Sequence, residues 1–148
     1  MKWARKCCGK APRRSHLSTF KNIDEAREQF KNDRFATGSG MVIDEIGDDY
    51  AVCSMEITEE HLNAAGTVMG GVYFTLADFA FAVCTNNIHK VSVAIDSNIS
   101  FLHAAKSGSL HARGRAVKSG KRTTFCTVDV TDGNGRLCAV FTGTAAKL

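Results

Sequence analysis

The sequence has few residues that would interrupt a helix or a strand and little that would hold the chain in a membrane. It contains a single proline in 148 residues, so few positions force a break in a helix or a strand. No apolar run is long enough to span a membrane, and the first residues lack the apolar region of a signal peptide. With 44% hydrophobic residues, a chain of this length can bury a substantial core. We therefore expect one globular unit in the cytoplasm, with no membrane partner.

The six cysteines show no metal-binding or disulfide pattern, because there is no C-x-x-C spacing and no nearby pair of histidines. Four of them lie within apolar segments and are predicted to be small, reduced core residues, which suits a cytoplasmic protein: Cys53, Cys84, Cys126 and Cys138. Cys7 and Cys8, with His16, form an incomplete ligand set. We predict no metal site.

The net charge of +4 is modest, and much of the excess positive charge lies near the N-terminus. This distribution argues against a nucleic-acid-binding surface over the whole fold, although the basic tail alone could contact an anionic partner. Residues 1–20 contain few large apolar side chains and are predicted to form a basic extension. Residues 21–148 are predicted to form a single domain.

Local patterns predict two helices and about six strands. A short amphipathic helix is expected between Asn22 and Phe35, with Glu25 placed for a capping box. A long helix is expected from Gly70 to near Asn87. The strands are expected to begin at Met41 and then to cover Tyr50–Ile57, Val91–Leu102, Ser109–Lys118, Thr123–Thr131 and Arg136–Ala145, in a meander around the long helix.

The long helix carries the most informative residues. Asp78 is the only formal charge between Gly70 and Cys84, and a carboxylate on an apolar helix is paired, solvated through a cleft or kept for chemistry. The unpaired amides at Gly70 and Gly71 could hold a developing oxyanion, or the two glycines could simply allow a sharp turn. Gly70 and Asp78 are about 12 Å apart along one helix. Two antiparallel copies in a dimer could bring them together.

The spacing of Asn63, Gly66, Gly70–Gly71 and Leu76–Asp78 resembles the N-x-x-G-x-x-H-G-G…L-x-D signature of hotdog-fold acyl-CoA thioesterases of the phenylacetate-degradation (PaaI) type. The resemblance extends from about residue 35 to the C-terminus. It implies an α+β hotdog fold, in which an antiparallel sheet of about six strands wraps around one long helix. Because the Gly70 amide and the Asp78 carboxylate cannot meet within one protomer, we also expect a homodimer, assembled further into a dimer of dimers.

The resemblance further implies the chemistry. Gly70 would give its amide to the thioester carbonyl, Asp78 from the partner subunit would act as nucleophile or general base, and Asn63 would help to position the site. An acyl-CoA would be the substrate, with coenzyme A as part of it and no separate cofactor. Met69 stands where the family has histidine and offers no N–H donor.

The remaining substrate contacts are also inferred from the resemblance. Met69 and Gly71 would lie beside the substrate at the helix start, and basic residues would contact the phosphates and nucleotide of coenzyme A: His103, Lys118, Lys121 and Arg122. Lysines at hairpin turns are, alternatively, ordinary solvated charges.

Two other functions remain open on the sequence. A non-catalytic acyl-CoA-binding or sensing protein would be consistent with Met69 in place of histidine. A hotdog hydratase would need a histidine shortly after the aspartate, and residues 79–84 contain none. Tyr73 and Phe74 could shape a pocket for an aromatic or a medium aliphatic acyl group equally well.

Overall fold

The computed structural model describes residues 18–148 of the chain. Most of the basic extension that we predicted over residues 1–20 lies outside this range, as do Cys7, Cys8 and His16. The predicted division of the chain at residue 20 therefore stays a prediction.

Six antiparallel strands form a single sheet, as predicted. They are β1 (Val42–Ile46), β2 (Tyr50–Glu56), β3 (Ser92–Phe101), β4 (Ser109–Ser119), β5 (Thr123–Asp132) and β6 (Leu137–Lys147). Their order across the sheet is β1-β2-β4-β5-β6-β3. β1 and β2 form the predicted hairpin, which the Gly47 amide closes by donating to the Tyr50 carbonyl at 2.9 Å.

The predicted meander is wrong for one strand. β3 lies at the far edge beside β6 rather than next to β2, and β4 returns to pair with β2. The long connection between β2 and β3, which contains a helix, carries the chain across the sheet. Chain order and strand order therefore differ at this point.

The connecting helix, Gly70–Ile88, is the predicted long central helix and is largely buried against the sheet. Two glycines of the sheet allow its close approach, since a Cβ at Gly114 would lie 3.1 Å from the Ala80 carbonyl oxygen and one at Gly143 would lie 3.0 Å from the Phe81 ring. No helix within residues 18–148 is long and apolar enough to cross a membrane.

The single helix predicted between residues 22 and 35 is in fact two helices. We number them α1 (Ile23–Phe30) and α2 (Arg34–Gly38), which makes the central helix α3. The chain leaves helical geometry at Asp33, where φ is −77° and ψ is 73°. Asn22 caps α1 as predicted, accepting from the Glu25 amide at 3.0 Å, but the Glu25 carboxylate accepts from the Lys21 amide instead of returning to Asn22.

The four cysteines of the apolar segments are buried free thiols, which confirms that prediction. Cys84 Sγ lies 4.0 Å from Cys126 Sγ, and burial raises the pKa of the neighbouring Cys53 thiol. In the part of the chain that the structure describes, no three His, Cys, Asp or Glu side chains are grouped so that they could hold a metal ion.

Candidate active site

The turn before α3 is built around Asn63. Its Oδ1 accepts from the amides of Ala65 and Thr67 at 2.9 and 3.2 Å, and its Nδ2 donates to the Thr67 hydroxyl at 3.0 Å. Gly66 has a φ of +74°, which favours glycine. The amide group of Asn63 is therefore engaged in shaping the turn.

The turn delivers the chain to the start of α3 in a defined position. Leu62 and Val68 form a β-bridge across it, and the Met69 amide donates to the His61 carbonyl at 2.9 Å. His61 is itself held, since its Nδ1 accepts from the Thr58 amide at 2.9 Å. Met69 then occupies the N-cap position of α3, and its side chain makes no capping hydrogen bond.

The first amide of α3 is a free donor. No hydrogen bond from the Gly70 amide is found to any residue in the range 18–148. The helix dipole adds positive potential at this end of α3. The start of α3 is thus suited to an oxygen that carries, or develops, negative charge.

A cleft of about 280 Å³ opens beside this amide. It is lined by Val68, Gly70, Tyr73 and the segment 101–104 that follows the edge strand. The absence of a side chain at Gly70 keeps this part of the cleft open, because a Cβ would lie 3.1 Å from the ring of Phe101. His103, one of the predicted substrate contacts, lines the same cleft, and its Nδ1 lies 3.0 Å from the Leu137 carbonyl oxygen.

Two further predicted substrate contacts lie at the helix start. Met69 is half exposed, and its methyl group lies over Gly71, where a Cβ would come within 2.7 Å of the Met69 Cε. Methionine provides an apolar surface there but neither a proton nor a donor.

Asp78 lies on the one incompletely buried stripe of α3. Beyond the first residue of the helix, the partly exposed positions of this stripe are Gly71, Phe74, Thr75, Asp78 and Ala82. Within residues 18–148, the Asp78 carboxylate forms no hydrogen bond or ion pair. Burial raises the pKa of Asp78, and the negative charge of Asp33 raises it further. The geometry therefore favours the functional interpretation of Asp78 over the paired, structural one.

Gly70 and Asp78 do not meet within one protomer. They are eight residues apart on the same helix, so a rise of 1.5 Å per residue separates them by about 12 Å along its axis. This distance is too large for both groups to contact one thioester carbonyl.

The other predicted basic contacts lie at the opposite end of the sheet from the cleft. Lys118, Lys121 and Arg122 are exposed around the β4–β5 turn, where the Arg122 carbonyl accepts from the Lys147 amide at 2.8 Å. Lys147 pairs with Ser92, the first residue of β3, whereas His103 lies two residues beyond Phe101, the last residue of β3. The length of β3 from its first residue to its last is about 30 Å, which separates the basic turn from His103. The structure does not bring His103 together with the three other basic residues.

Sequence reasoning missed Phe101 and Asp33. Phe101 covers Gly70 from a strand about thirty residues later in the chain, and Asp33 acts on Asp78 from α2. Both contacts join distant parts of the chain, so no local pattern could identify them. The only available signal was an aromatic residue at the end of a strand.

Residues 65–139, about half of the chain, match the sequence profile of the thioesterase superfamily. The chain belongs to this superfamily. It is 34% identical over 120 residues to a proposed esterase of Archaeoglobus fulgidus, a match that covers 80% of this chain and 78% of that one. It is 29% identical over 131 residues to the acyl-coenzyme A thioesterase PaaI of Escherichia coli, covering 88% and 94% of the two chains.

A solved structure extends this relationship to the superfamily fold. The E. coli PaaI protein from the phenylacetic acid degradation operon superposes with a TM-score of 0.78 at 27% identity, covering 86% of this chain and 96% of that one. The chain therefore has the hotdog fold, with its sheet packed on α3, and its resemblance to PaaI-type proteins is confirmed.

Proposed function

We propose that this protein is an acyl-CoA thioesterase, which hydrolyses an acyl-CoA to a free acid and coenzyme A. The observation that carries the proposal is the Asp78 carboxylate, which lies partly buried on an apolar helix without a partner in the described part of the chain. An ionised group in such a position costs stability, and its retention is typical of a group used in chemistry.

The reaction needs a second subunit. In a dimer whose two α3 helices lie antiparallel along their partly exposed stripes, the Gly70 amide of one protomer would face Asp78 of the other. The amide and the positive end of the helix would then polarise the thioester carbonyl. Asp78 would either attack the carbonyl carbon itself or remove a proton from an attacking water. Direct attack would expel the thiol of coenzyme A and form a mixed anhydride with Asp78, which a water then hydrolyses to release the acid and restore the carboxylate. Attack by water would release the acid and the thiol without a covalent intermediate. The net reaction consumes one water in both cases.

The two edges of the sheet support this assembly. β1 is a short edge of five residues that carries Asp44 and Glu45. β3 is a ten-residue edge with one charge, Asp96, and with apolar side chains that are exposed in the protomer, among them Val93 and Ile95. Long, uncharged edges invite pairing with another chain, and native proteins protect such edges when they are meant to stay free. We infer that β3 pairs with β3 of a second copy.

This dimer would also explain the position of the basic turn. If Gly70 of each protomer lies opposite Asp78 of the other, the ten residues of α3 after Asp78 extend about 15 Å beyond the start of the other protomer's α3. The exposed cations Lys118, Lys121 and Arg122 lie at that end of α3, where Ser119 Oγ is 3.1 Å from His89 Nε2. Coenzyme A carries its phosphates at the far end of an extended arm from the thioester. Cations at a distance from the thioester carbonyl would therefore be placed to bind these phosphates.

The replacement Asp78→Asn tests the proposal. Asparagine preserves the shape but lacks the basic oxygen, so thiol release should fall by roughly 100-fold or more, the usual scale for a lost acid–base group. Affinity for a non-hydrolysable acyl-CoA thioether, measured by calorimetry, should hardly change. Asp129→Asn, at an exposed position of β5, is the matched control and should leave both quantities unaltered. A joint loss of affinity and thermal stability in Asp78→Asn would instead mark Asp78 as structural.

A non-catalytic acyl-CoA sensor is the second candidate, and the observation that favours it is Met69 at the N-cap of α3. A parent protein that binds acyl-CoA thioethers but releases no thiol from a broad panel of acyl-CoAs would establish this alternative in place of the thioesterase.

A further inference from the structure

One wall of the cleft begins with the last residue of β3 and continues without regular structure, yet it is fixed at both ends. We call residues 101–105 the cleft wall. At its start, the amides of Leu102 and His103 both donate to the Cys138 carbonyl, at 2.8 and 3.1 Å. These bonds attach the beginning of the wall to β6. They do not reach its far end.

The far end of the cleft wall is attached to α3 by the hydroxyl of Tyr73. Tyr73 is 4% exposed, and its ring packs edge-on against Phe101 with the centroids 6.1 Å apart. Its hydroxyl oxygen accepts a hydrogen bond from the Ala105 amide at 2.9 Å. Tyr73 therefore contacts both ends of the wall.

A buried carboxylate holds the next residue from the opposite side. Asp132 Oδ2 accepts from the Lys106 amide at 3.0 Å, while its Oδ1 accepts from the amides of Asn134 and Arg136. The bond from Lys106 contributes most to holding the pKa of Asp132 below its usual range. Tyr73 and Asp132 together clamp the chain where the wall ends.

We propose that Tyr73 is a positioning residue that sets acyl-group selectivity by locking the cleft wall to the start of α3. Tyr73 lies three residues after Gly70, so its hydroxyl links the wall to the helical turn that presents the Gly70 amide. The hydroxyl thereby fixes the width between the amide and the wall, which limits the size of the group bound beside the thioester. This inference rests on the proposed thioesterase site.

The replacement Tyr73→Phe removes the hydroxyl but keeps the ring and its contact with Phe101. The wall should become free to move, so that bulky acyl groups bind relatively better. We expect the ratio of affinities for S-benzyl-CoA and S-ethyl-CoA, two thioethers that cannot be hydrolysed, to shift towards the benzyl compound. The shift should be roughly two- to tenfold, the value of one neutral hydrogen bond. The ratio of kcat/KM for benzoyl-CoA and acetyl-CoA should move in the same direction.

Tyr50→Phe is the matched control, because it removes a tyrosine hydroxyl that bonds Glu45 at the end of β2 remote from the cleft. It should leave both ratios unchanged. Asp132→Asn should shift the ratios in the same direction as Tyr73→Phe, since it releases the same end of the wall.

An unchanged affinity ratio in Tyr73→Phe would overturn the inference, and so would a shift in Tyr73→Phe that Asp132→Asn does not reproduce. Failure of the parent to release thiol would overturn the proposed reaction alone. The affinity ratio would still decide the role of Tyr73.

Discussion

Two polar groups of the candidate site lack a partner in the described part of the chain. Every buried side-chain nitrogen or oxygen within residues 18–148 has a hydrogen-bond partner. Asn87, for example, bonds both the Phe20 amide and the Gly47 carbonyl. The Gly70 amide and the Asp78 carboxylate have none in that range. The Asp78 oxygens are therefore not fully buried, and the carboxylate is open to a ligand or a second subunit, as the proposed reaction requires.

Asp33 should tune the pH dependence of activity. Its negative charge raises the pKa of Asp78, so the ionised carboxylate, which the proposed mechanism needs, forms only at a higher pH than it otherwise would. Asp33→Asn should lower that pKa and shift the acid limb of the kcat/KM profile to lower pH. The Asp33 side chain makes no capping bond to α2, so the substitution should not disturb the helix.

The measurement is the pH profile of kcat/KM for parent and variant at one ionic strength. Asp129→Asn removes a comparable charge on β5 and should leave the limb in place. If the limb of Asp33→Asn coincides with that of the parent, Asp33 does not act on the catalytic group.

At this scale the sequence predicts the groups that follow a local pattern. Gly70 and Asp78 could be proposed as site residues because an isolated charge and a glycine pair stand out on an apolar helix. The hydroxyl contact of Tyr73 with Ala105 could not, because it joins residues 32 positions apart. For Asn63 the sequence left the role undecided. The sequence allowed a local role and a catalytic one, and the structure uses its amide group in the turn.

Secondary-structure elements were predictable where their signals are short-ranged. Alternating apolar residues and glycine-rich turns indicate the strands, and a long apolar segment with Asp78 as its single charge indicates α3. The break between α1 and α2 had no such signal, because it is associated with the docking of Phe30 against Phe20 and Phe79 in the core. The position of β3 at the far edge is likewise a property of the long crossover through α3, and not of its own residues.

β3 also carries the prediction that belongs to this scale. Ile95 is 60% exposed and lies at a bulge, where the pairing with β6 shifts between Ala94 and Asp96. A lysine there should place a charge in the proposed β3–β3 interface and separate the dimer. Ile95→Lys should remain folded, become monomeric in light scattering and lose at least about 100-fold in thiol release, as expected when the groups of one site are separated.

Val117→Lys is a control of matched geometry. Val117 is 56% exposed and also lies at a bulge, but on β4 in the interior of the sheet. The Val117→Lys protein should stay dimeric and active. If dimers assemble further through the outer face of the sheet, this variant should lose only that larger assembly in light scattering. A monomeric Ile95→Lys protein with full activity would show that each protomer holds a complete site.

On the scale of the whole molecule, two separate surfaces lack a partner. Within residues 18–148, nothing covers the β3 edge or the partly exposed stripe of α3 that carries Asp78. α3 packs against β3 in the protomer, so a single second copy could cover both surfaces at once. Closed two-fold assembly uses the same patch on each subunit, which would place two equivalent sites in the dimer. Pairing of such dimers into a tetramer stays a prediction.

A shared site predicts that two inactive variants restore activity in each other. Asp78→Asn lacks the carboxylate, whereas Gly70→Pro lacks the amide hydrogen at the first position of a helix, where the proline backbone is tolerated. The proline ring also enters the cleft beside Phe101, but the intact site of a mixed dimer takes its amide from the other variant. A mixed dimer has one site in which the amide of the first variant faces the carboxylate of the second, and one site that lacks both groups. Random pairing makes half of the dimers mixed, with half of their sites intact, so refolding equal amounts together should recover about a quarter of the parent activity. Each variant refolded alone is the control. If the mixture releases thiol no faster than the sum of the two controls, the amide and the carboxylate act within one protomer and the dimeric mechanism is wrong.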